Sequence, residues 1–218
     1  MISLAIEAST YTGSVAVIRD GVVLAERETA MRGADEERLM PAAADALRAA
    51  GVAPNAIDRV VCGAGPGSFT SLRIAGAIAK GLALSAGAAL YPISSLTMLV
   101  AGARPALAPG RYAAVLDAMR GDVFAAVYTV TDERITTESP TVIVPRAALG
   151  HYATAHAARI VGPNEQHVVI PHARAAAALG SLLAWPDPAD LATWEPDYGR
   201  LAEAQVRWEA AHGRSLTA

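Results

Sequence analysis

The dipeptide Asp20-Gly21 sits between two alternating apolar runs, "GSVAVIR" and "VVLAERET", and both of its positions tolerate positive φ. Such a pair dictates a tight antiparallel hairpin. With "ISLAIEAS" ahead of it, the chain opens as a three-stranded meander over Ile2 to Glu7, Ser14 to Ile18 and Val22 to Arg27. After the meander the apolar period changes from two to that of a helix. "ADEERLMPAAADALRAAGV" has an acidic first turn, tolerates Pro41 near its start and stops at Gly51, as a helix does. "IDRVVCGAG" is then a buried strand, "SFTSLRIAGAIAKGLALSAG" a helix, "ALYPIS" a strand and "SLTMLVAGA" a helix. Strands separated by helices in this way require right-handed parallel crossovers.

The order then restarts. Ala103 to Gly110, "ARPALAPG", is a joint rich in proline and glycine. Beyond it, "RYAAVLDAM" and "VFAAVYTV" are strands around the turn Arg120-Gly121-Asp122, leading to "RITTESPTVIV". Helical "PRAALGHY", strand "ARIVGP" and helical "ARAAAALGSLLAW" complete the second half. Two related α/β lobes are predicted, 1–103 and a smaller 104–198, each a mixed sheet with helices. A last helix within 199–218 is expected to pack back on the first lobe.

With 53% hydrophobic and 18% charged residues, the 218-residue chain can bury a sizeable core. A net charge of -3 supplies no basic field for a polyanion. The single cysteine, Cys62, forbids an internal disulfide and fits a reducing cytoplasm. The N-terminus lacks a basic leader and reads as a strand, and no apolar run is long enough to span a bilayer, so a cytoplasmic protein without membrane contact is expected.

The stretch "CGAGPGSFTSLRIAGAIAKG", residues 62–81, invites a nucleotide reading, because a glycine-rich turn feeding a helix can hold phosphate. It fails the templates. No glycine of the turn is followed by lysine, and Gly63, Gly65 and Gly67 lack dinucleotide spacing. Ala75, Ala79 and Ala83 instead repeat every fourth residue beside Leu72, Ile74, Ile78 and Leu82, a stripe suited to close helix packing. Other chemistry is equally thin. His151/His156 and His167/His172 are five apart, which turns a helix about 140° off its starting face. Cys62 ends an apolar strand, Ser68 is not in G-x-S-x-G, and Asp117 with Arg120 suits an ion pair or a turn brace.

"GAGPGSFTSLRIAGAIAKGLAL" resembles the signature of the TsaB (YeaZ) family of tRNA threonylcarbamoyladenosine biosynthesis, and "LAIEASTYTGSVAV", "VLDAMRGDVFAAVY" and "EPDYGRLAEAQV" agree with it in order. The resemblance implies an actin/hexokinase-like (ASKHA) fold and a non-catalytic subunit that binds and activates a TsaD-type catalytic subunit. It further implies a TsaE-type ATPase in the same complex, a homodimer when alone, tRNA contact only through the complex, and no cofactor beyond weak nucleotide binding. Glu7, Ser9 and Thr10 correspond to a vestigial phosphate turn, with glutamate where aspartate is usual. An autonomous ASKHA ATPase or phosphotransferase using that turn is the alternative. Partner-binding helices correspond to "EERLMPAAADALRAA" and "SFTSLRIAGAIAKG", with Leu39, Ala43, Leu47, Leu72, Ala75 and Ala79 as interface candidates. Which stripe faces the sheet stays open, because alanine fits either side.

Overall fold

A computed structural model of the chain describes residues 1–33, 36–200, 208 and 211–213. Strand β1 (Ile2–Glu7) pairs antiparallel with β2 (Thr12–Arg19), from Ile2 opposite Arg19 to Glu7 opposite Ser14. Asp20 (φ 49) and Gly21 (φ 79) turn the chain into β3 (Val22–Ala30), as the dipeptide predicts. β4 (Arg59–Gly63) and β5 (Ala89–Ile93) add in parallel, giving the order β3-β2-β1-β4-β5.

Two helices cover one face of this sheet. α1 (Leu39–Ala49) starts later than the acidic run suggests: the Glu37 carboxylate accepts from the N–H groups of Leu39 and Met40, so it caps the helix instead of joining it. Pro41 then falls in the first turn, where its missing N–H is harmless. α2 (Phe69–Ala86) runs until Gly87 (φ 63), whose left-handed conformation closes the helix. α3 (Ser95–Ala101) lies between the two sheets of the molecule. Its Met98 packs with Ala5, Ala16 and Val61 of the first sheet, while Leu96, Leu99 and Val100 pack with Tyr112, Leu116 and Tyr128 of the second.

The second sheet repeats the plan. β6 (Gly110–Asp117) and β7 (Asp122–Val130) form an antiparallel hairpin, and β10 (Arg159–Gly162) joins β6 in parallel. β8 (Ile135–Thr137) and β9 (Val142–Pro145) both pair with β7, and β11 (His167–Val168) edges β10. A single short helix, α4 (Leu149–Ala155), follows β9 and packs Leu149 against Val115 and Val123.

Two expectations change. The alanine-rich stretch after Pro171 forms only a 3-10 turn, Ala173–Ala178, and packs on Ala5, Ala16, Ile18 and Val61 of the first sheet. Tertiary packing overrides alanine's helix propensity here: Ala175 lies against Gly102, and Leu179 is already extended. The stretch Ala173 to Leu179, placed by sequence in the lobe 104–198, therefore lies on the first lobe, while the Leu182 carbonyl accepts the Ile135 N–H of the second. Trp194 and Pro196 approach α2 at Gly76, and the Ala189 N–H donates to the Leu90 carbonyl. The expected closing helix falls mainly outside the described residues.

Polar pins hold this return. The Ser14 hydroxyl accepts from the Ala173 N–H at 2.9 Å, and Arg174 meets Glu26 at 2.9 Å. Buried His172 accepts the Arg174 N–H on Nδ1, which leaves Nε2 to face Glu28 at 3.1 Å. Burial, reinforced by the Arg174 charge, holds the His172 pKa down at about 4, so the imidazole is neutral.

Candidate functional site

A cleft of about 1550 Å³ lies between the lobes. Its lining includes the β1–β2 turn with the start of α2, the β6–β7 turn and a strap over Glu195 to Arg200, together with Arg32 after β3 and Ile143 of β9.

In the first turn, Glu7 ends β1 and is fully buried. Its Oε1 accepts the Ser9 N–H at 2.6 Å and its Oε2 accepts the Ser95 hydroxyl at 2.9 Å. Ser95 Oγ in turn accepts the Gly65 N–H at 3.2 Å. Burial raises the carboxyl's pKa, and the bonds from Ser9 and Ser95 only partly oppose this. The glycines next door make this possible. A Cβ at Gly63 would overlap the Glu7 carboxylate, and one at Gly67 would overlap the Ser9 carbonyl, which accepts the Ser68 N–H at 2.7 Å. Gly65 (φ 88) sits against the carbonyl of Asp197. The glycine stretch is therefore a lock between neighbouring turns.

Of the three residues assigned to a phosphate turn, Ser9 and Thr10 line the cleft and Glu7 does not. Thr10 Oγ1 donates to the Thr12 carbonyl at 3.0 Å and accepts its N–H at 3.2 Å, satisfying its own turn. Glu7 points away because its longer arm reaches the pocket opened by Gly63. The register sets this up: β1 and β4 pair Ile6 with Cys62, which places Glu7 beside a residue without a side chain.

The second turn differs. Asp117 ends β6 and its Oδ1 accepts the Met119 N–H at 2.9 Å. Met119 (φ 62), Arg120 (φ 57) and Gly121 (φ 83) are all left-handed. The carboxylate is thus a turn brace, and Arg120 is no ion-pair partner for it. The ion pair at this turn is Arg200 with Asp122, which sequence reading missed.

That pair belongs to the strap. Asp197 donates its N–H to the Ala64 carbonyl at 2.7 Å and its Oδ1 accepts from Gly199 at 2.8 Å. Tyr198 meets Phe69 with ring centroids 4.5 Å apart. Gly199 (φ 69) lies against the Phe124 ring of the second lobe. Strap residues therefore touch both lobes within four positions.

The six interface candidates form a correction. Leu39, Ala43, Leu47, Leu72, Ala75 and Ala79 are all buried; Leu72 lies beside Gly65 and the other five pack with Leu4, Ile6, Val15 and Val60 of the first sheet. Their stripe faces the chain's own core. The outward side of α2 carries Arg73, Ala77, Gly81 and Leu84, the last 76% exposed, and α1 presents Met40, Ala44 and Arg48.

Other candidates resolve simply. Burial pushes the Cys62 thiol's pKa far up, with the Glu7 charge adding to it, so no thiolate forms. His156 bonds the Tyr152 carbonyl at 2.8 Å, and His172 is the pin that holds the 3-10 turn on the first lobe. Among the described residues no group of three or more His, Cys, Asp or Glu is placed to hold a metal, and no helix is long and apolar enough to cross a membrane.

Two lobes, each a mixed sheet that opens on an antiparallel hairpin, set both hairpin turns at one cleft, as expected for the actin/hexokinase-like (ASKHA) arrangement that the sequence resemblance implies. Known proteins carry this further. Residues 28–175 match the family model for TsaD, tRNA N6-adenosine threonylcarbamoyltransferase. The tRNA threonylcarbamoyladenosine biosynthesis protein TsaB of Bacillus subtilis (strain 168) is 31% identical over 231 aligned positions, covering 95% of this chain and 98% of that protein. The protein of the same description from Escherichia coli (strain K12) is 38% identical over 125, covering 57% of this chain and 54% of its own. The solved structure of YeaZ from Pseudomonas aeruginosa superposes with a TM-score of 0.72 at 26% identity, over 90% of this chain and 99% of that one. The chain belongs to the TsaB (YeaZ) family of tRNA threonylcarbamoyladenosine biosynthesis proteins.

Proposed function

We propose that this protein is a non-catalytic subunit that binds and activates a TsaD-type catalytic subunit, in a complex that transfers a threonylcarbamoyl group to tRNA adenosine. A TsaE-type ATPase joins the same complex, tRNA contacts this chain only through it, and the chain pairs with itself when the partner is missing. The carrying observation is Glu7: the one acid of the phosphate turn is buried and bonded to Ser9 and Ser95, where it serves the fold and not a ligand. That commitment counts against an autonomous ATPase or phosphotransferase.

The partner surface is the outward face of α1 and α2, around Met40, Ala44, Ala77, Gly81 and Leu84. Small residues there admit a second helix at the ~8–10 Å separation of close packing, and Leu84 is otherwise left in water. The test uses Ala77→Arg and Leu84→Glu, with Ala79→Glu as a core control. The first two keep the wild-type melt, lose the co-purifying TsaD-type protein and lower threonylcarbamoyladenosine in cellular tRNA. Ala79→Glu unfolds, because it buries an unpaired charge against the sheet. Full modification in cells whose Ala77→Arg protein is folded yet free of the partner rules out the scaffold role.

A further inference from the structure

The interlobe cleft has no task in the scaffold role, yet its rim is unusual. Tyr11, Phe69, Met119 and Ile143 are exposed large apolar side chains that all line it, Met119 at 56% and Ile143 at 44%. Exposed apolar groups gathered at one concavity mark a contact site more often than scattered ones do. Met119 and Arg120 are held there in left-handed backbone, a conformation that side-chain-bearing residues rarely adopt. Arg32 lies on the opposite wall, its guanidinium 3.9 Å from the Tyr11 ring centroid. Neither Arg32 nor Arg120 has a carboxylate within ion-pair distance among the described residues.

We propose that this cleft is a second docking site, which takes an extended polypeptide segment carrying a carboxylate between apolar side chains. The carboxylate lies between Arg32 and Arg120, and the apolar residues cover Phe69, Met119 and Ile143. This site stands apart from the α1/α2 face and does not require it. Volume and charge select the occupant. About 1550 Å³ exceeds the ~300–1,000 Å³ typical of small-ligand pockets, so a metabolite would leave part of it unfilled. A nucleic acid is disfavoured because Arg32, Arg120 and Arg200 are balanced by Asp117, Glu195 and Asp197 along the same lining, and Arg200 is already paired with Asp122. Two arginines with no ion-pair partner among the described residues, set among apolar groups, match a carboxylate on a chain.

The experiment is selection of a random twelve-residue peptide library on the full chain, followed by fluorescence anisotropy with the enriched peptide. The expected consensus has Asp or Glu flanked by apolar residues. Its affinity falls about tenfold or more in Arg120→Glu, Arg32→Glu and Ile143→Asp, as for loss of a complementary charge or apolar contact. Arg111→Glu, exposed on β6 away from the cleft, leaves it unchanged, and all four variants keep the wild-type melt. No enrichment, a basic consensus, or binding indifferent to Arg120→Glu and Arg32→Glu overturns the proposal. So does a labelled single-stranded RNA twelve-mer that binds more tightly than the peptide and is released by Arg120→Glu.

Discussion

The first turns of the two lobes are built alike and finished differently. Each is four residues long, Ala8 to Tyr11 and Ala118 to Gly121, and each follows a strand that ends on an acid. Each acid accepts the N–H two residues on, Glu7 from Ser9 and Asp117 from Met119. In the first lobe that carboxylate is sealed between Gly63, Ser9 and Ser95 at the start of α3. In the second it is exposed, and the turn carries its own backbone strain. A shared local motif has therefore become a core element in one lobe and a free lip in the other. The neighbouring glycines decide which.

The sharpest way to break this comparison is to add one methyl group to each turn's surroundings. Gly67→Ala places a Cβ into the Ser9 carbonyl, a backbone atom that cannot move without giving up the Ser68 N–H bond. A loss of about 3 kcal/mol or more is expected, which lowers the melting temperature of a chain this size by roughly 6–12 °C. Gly121→Ala meets nothing within 4 Å and suffers only the positive φ, about 1 kcal/mol. Equal effects at the two positions in thermal melts would show that the first turn is not locked.

The strap tests whether the lobes are coupled. Gly199→Ala combines a positive φ with a clash against Phe124, for about 2 kcal/mol. Amide exchange should speed up at the start of β7, where Arg200 otherwise pins Asp122, with little change in β1. Unaltered exchange in β7 would mean that the strap only covers the cleft.

Hairpins and the long helix were legible because their signals are local: Asp20-Gly21 between alternating runs, and an apolar run closed by Gly87. The sides of α1 and α2 were not. Ala75 and Ala77 differ by two positions and nothing in side-chain chemistry, yet the first is in the core and the second in water. The same poverty of alanine hid the fate of 173–178, where long-range packing on Ala5 and Val61 chose a 3-10 turn. In the site, Glu7 and the strap were opaque for a common reason. Their partners, Gly63 with Ser95 and Gly65 with Asp122, lie far away in sequence and come together only through sheet register.

Acid and base dependence probes the sealed turn and the return of the chain onto the first lobe. Because burial raises the folded-state pKa of Glu7 above its usual value, the carboxyl's contribution to stability is complete below about pH 4.5 and is lost as pH rises through the raised value. Glu7→Gln should abolish that decline, so its advantage over wild type grows with pH in denaturant titrations. His172 acts in the other direction: lowered to about 4, it keeps its contribution above about pH 6.5 and loses it as pH falls toward 4. His172→Asn, which retains an acceptor for the Arg174 N–H, should flatten that acid limb.

The smallest expected effect concerns the strain in the second turn. Left-handed backbone costs a side-chain-bearing residue roughly 1–2 kcal/mol, and Met119 and Arg120 both adopt it while remaining exposed. Replacing either by glycine relieves that strain but restores freedom to the unfolded chain, worth about 0.5–1 kcal/mol. The net change in Met119→Gly or Arg120→Gly should thus lie between zero and about 1 kcal/mol of stabilisation, readable in chemical denaturation as a slightly higher midpoint with an unchanged slope. No glycine replacement in the first turn should stabilise, because Ser9, Thr10 and Tyr11 all have negative φ and would only gain unfolded-state entropy. If Met119→Gly or Arg120→Gly instead destabilises by more than about 1 kcal/mol, those side chains support the second lobe, and the contrast between a sealed turn and a free lip fails.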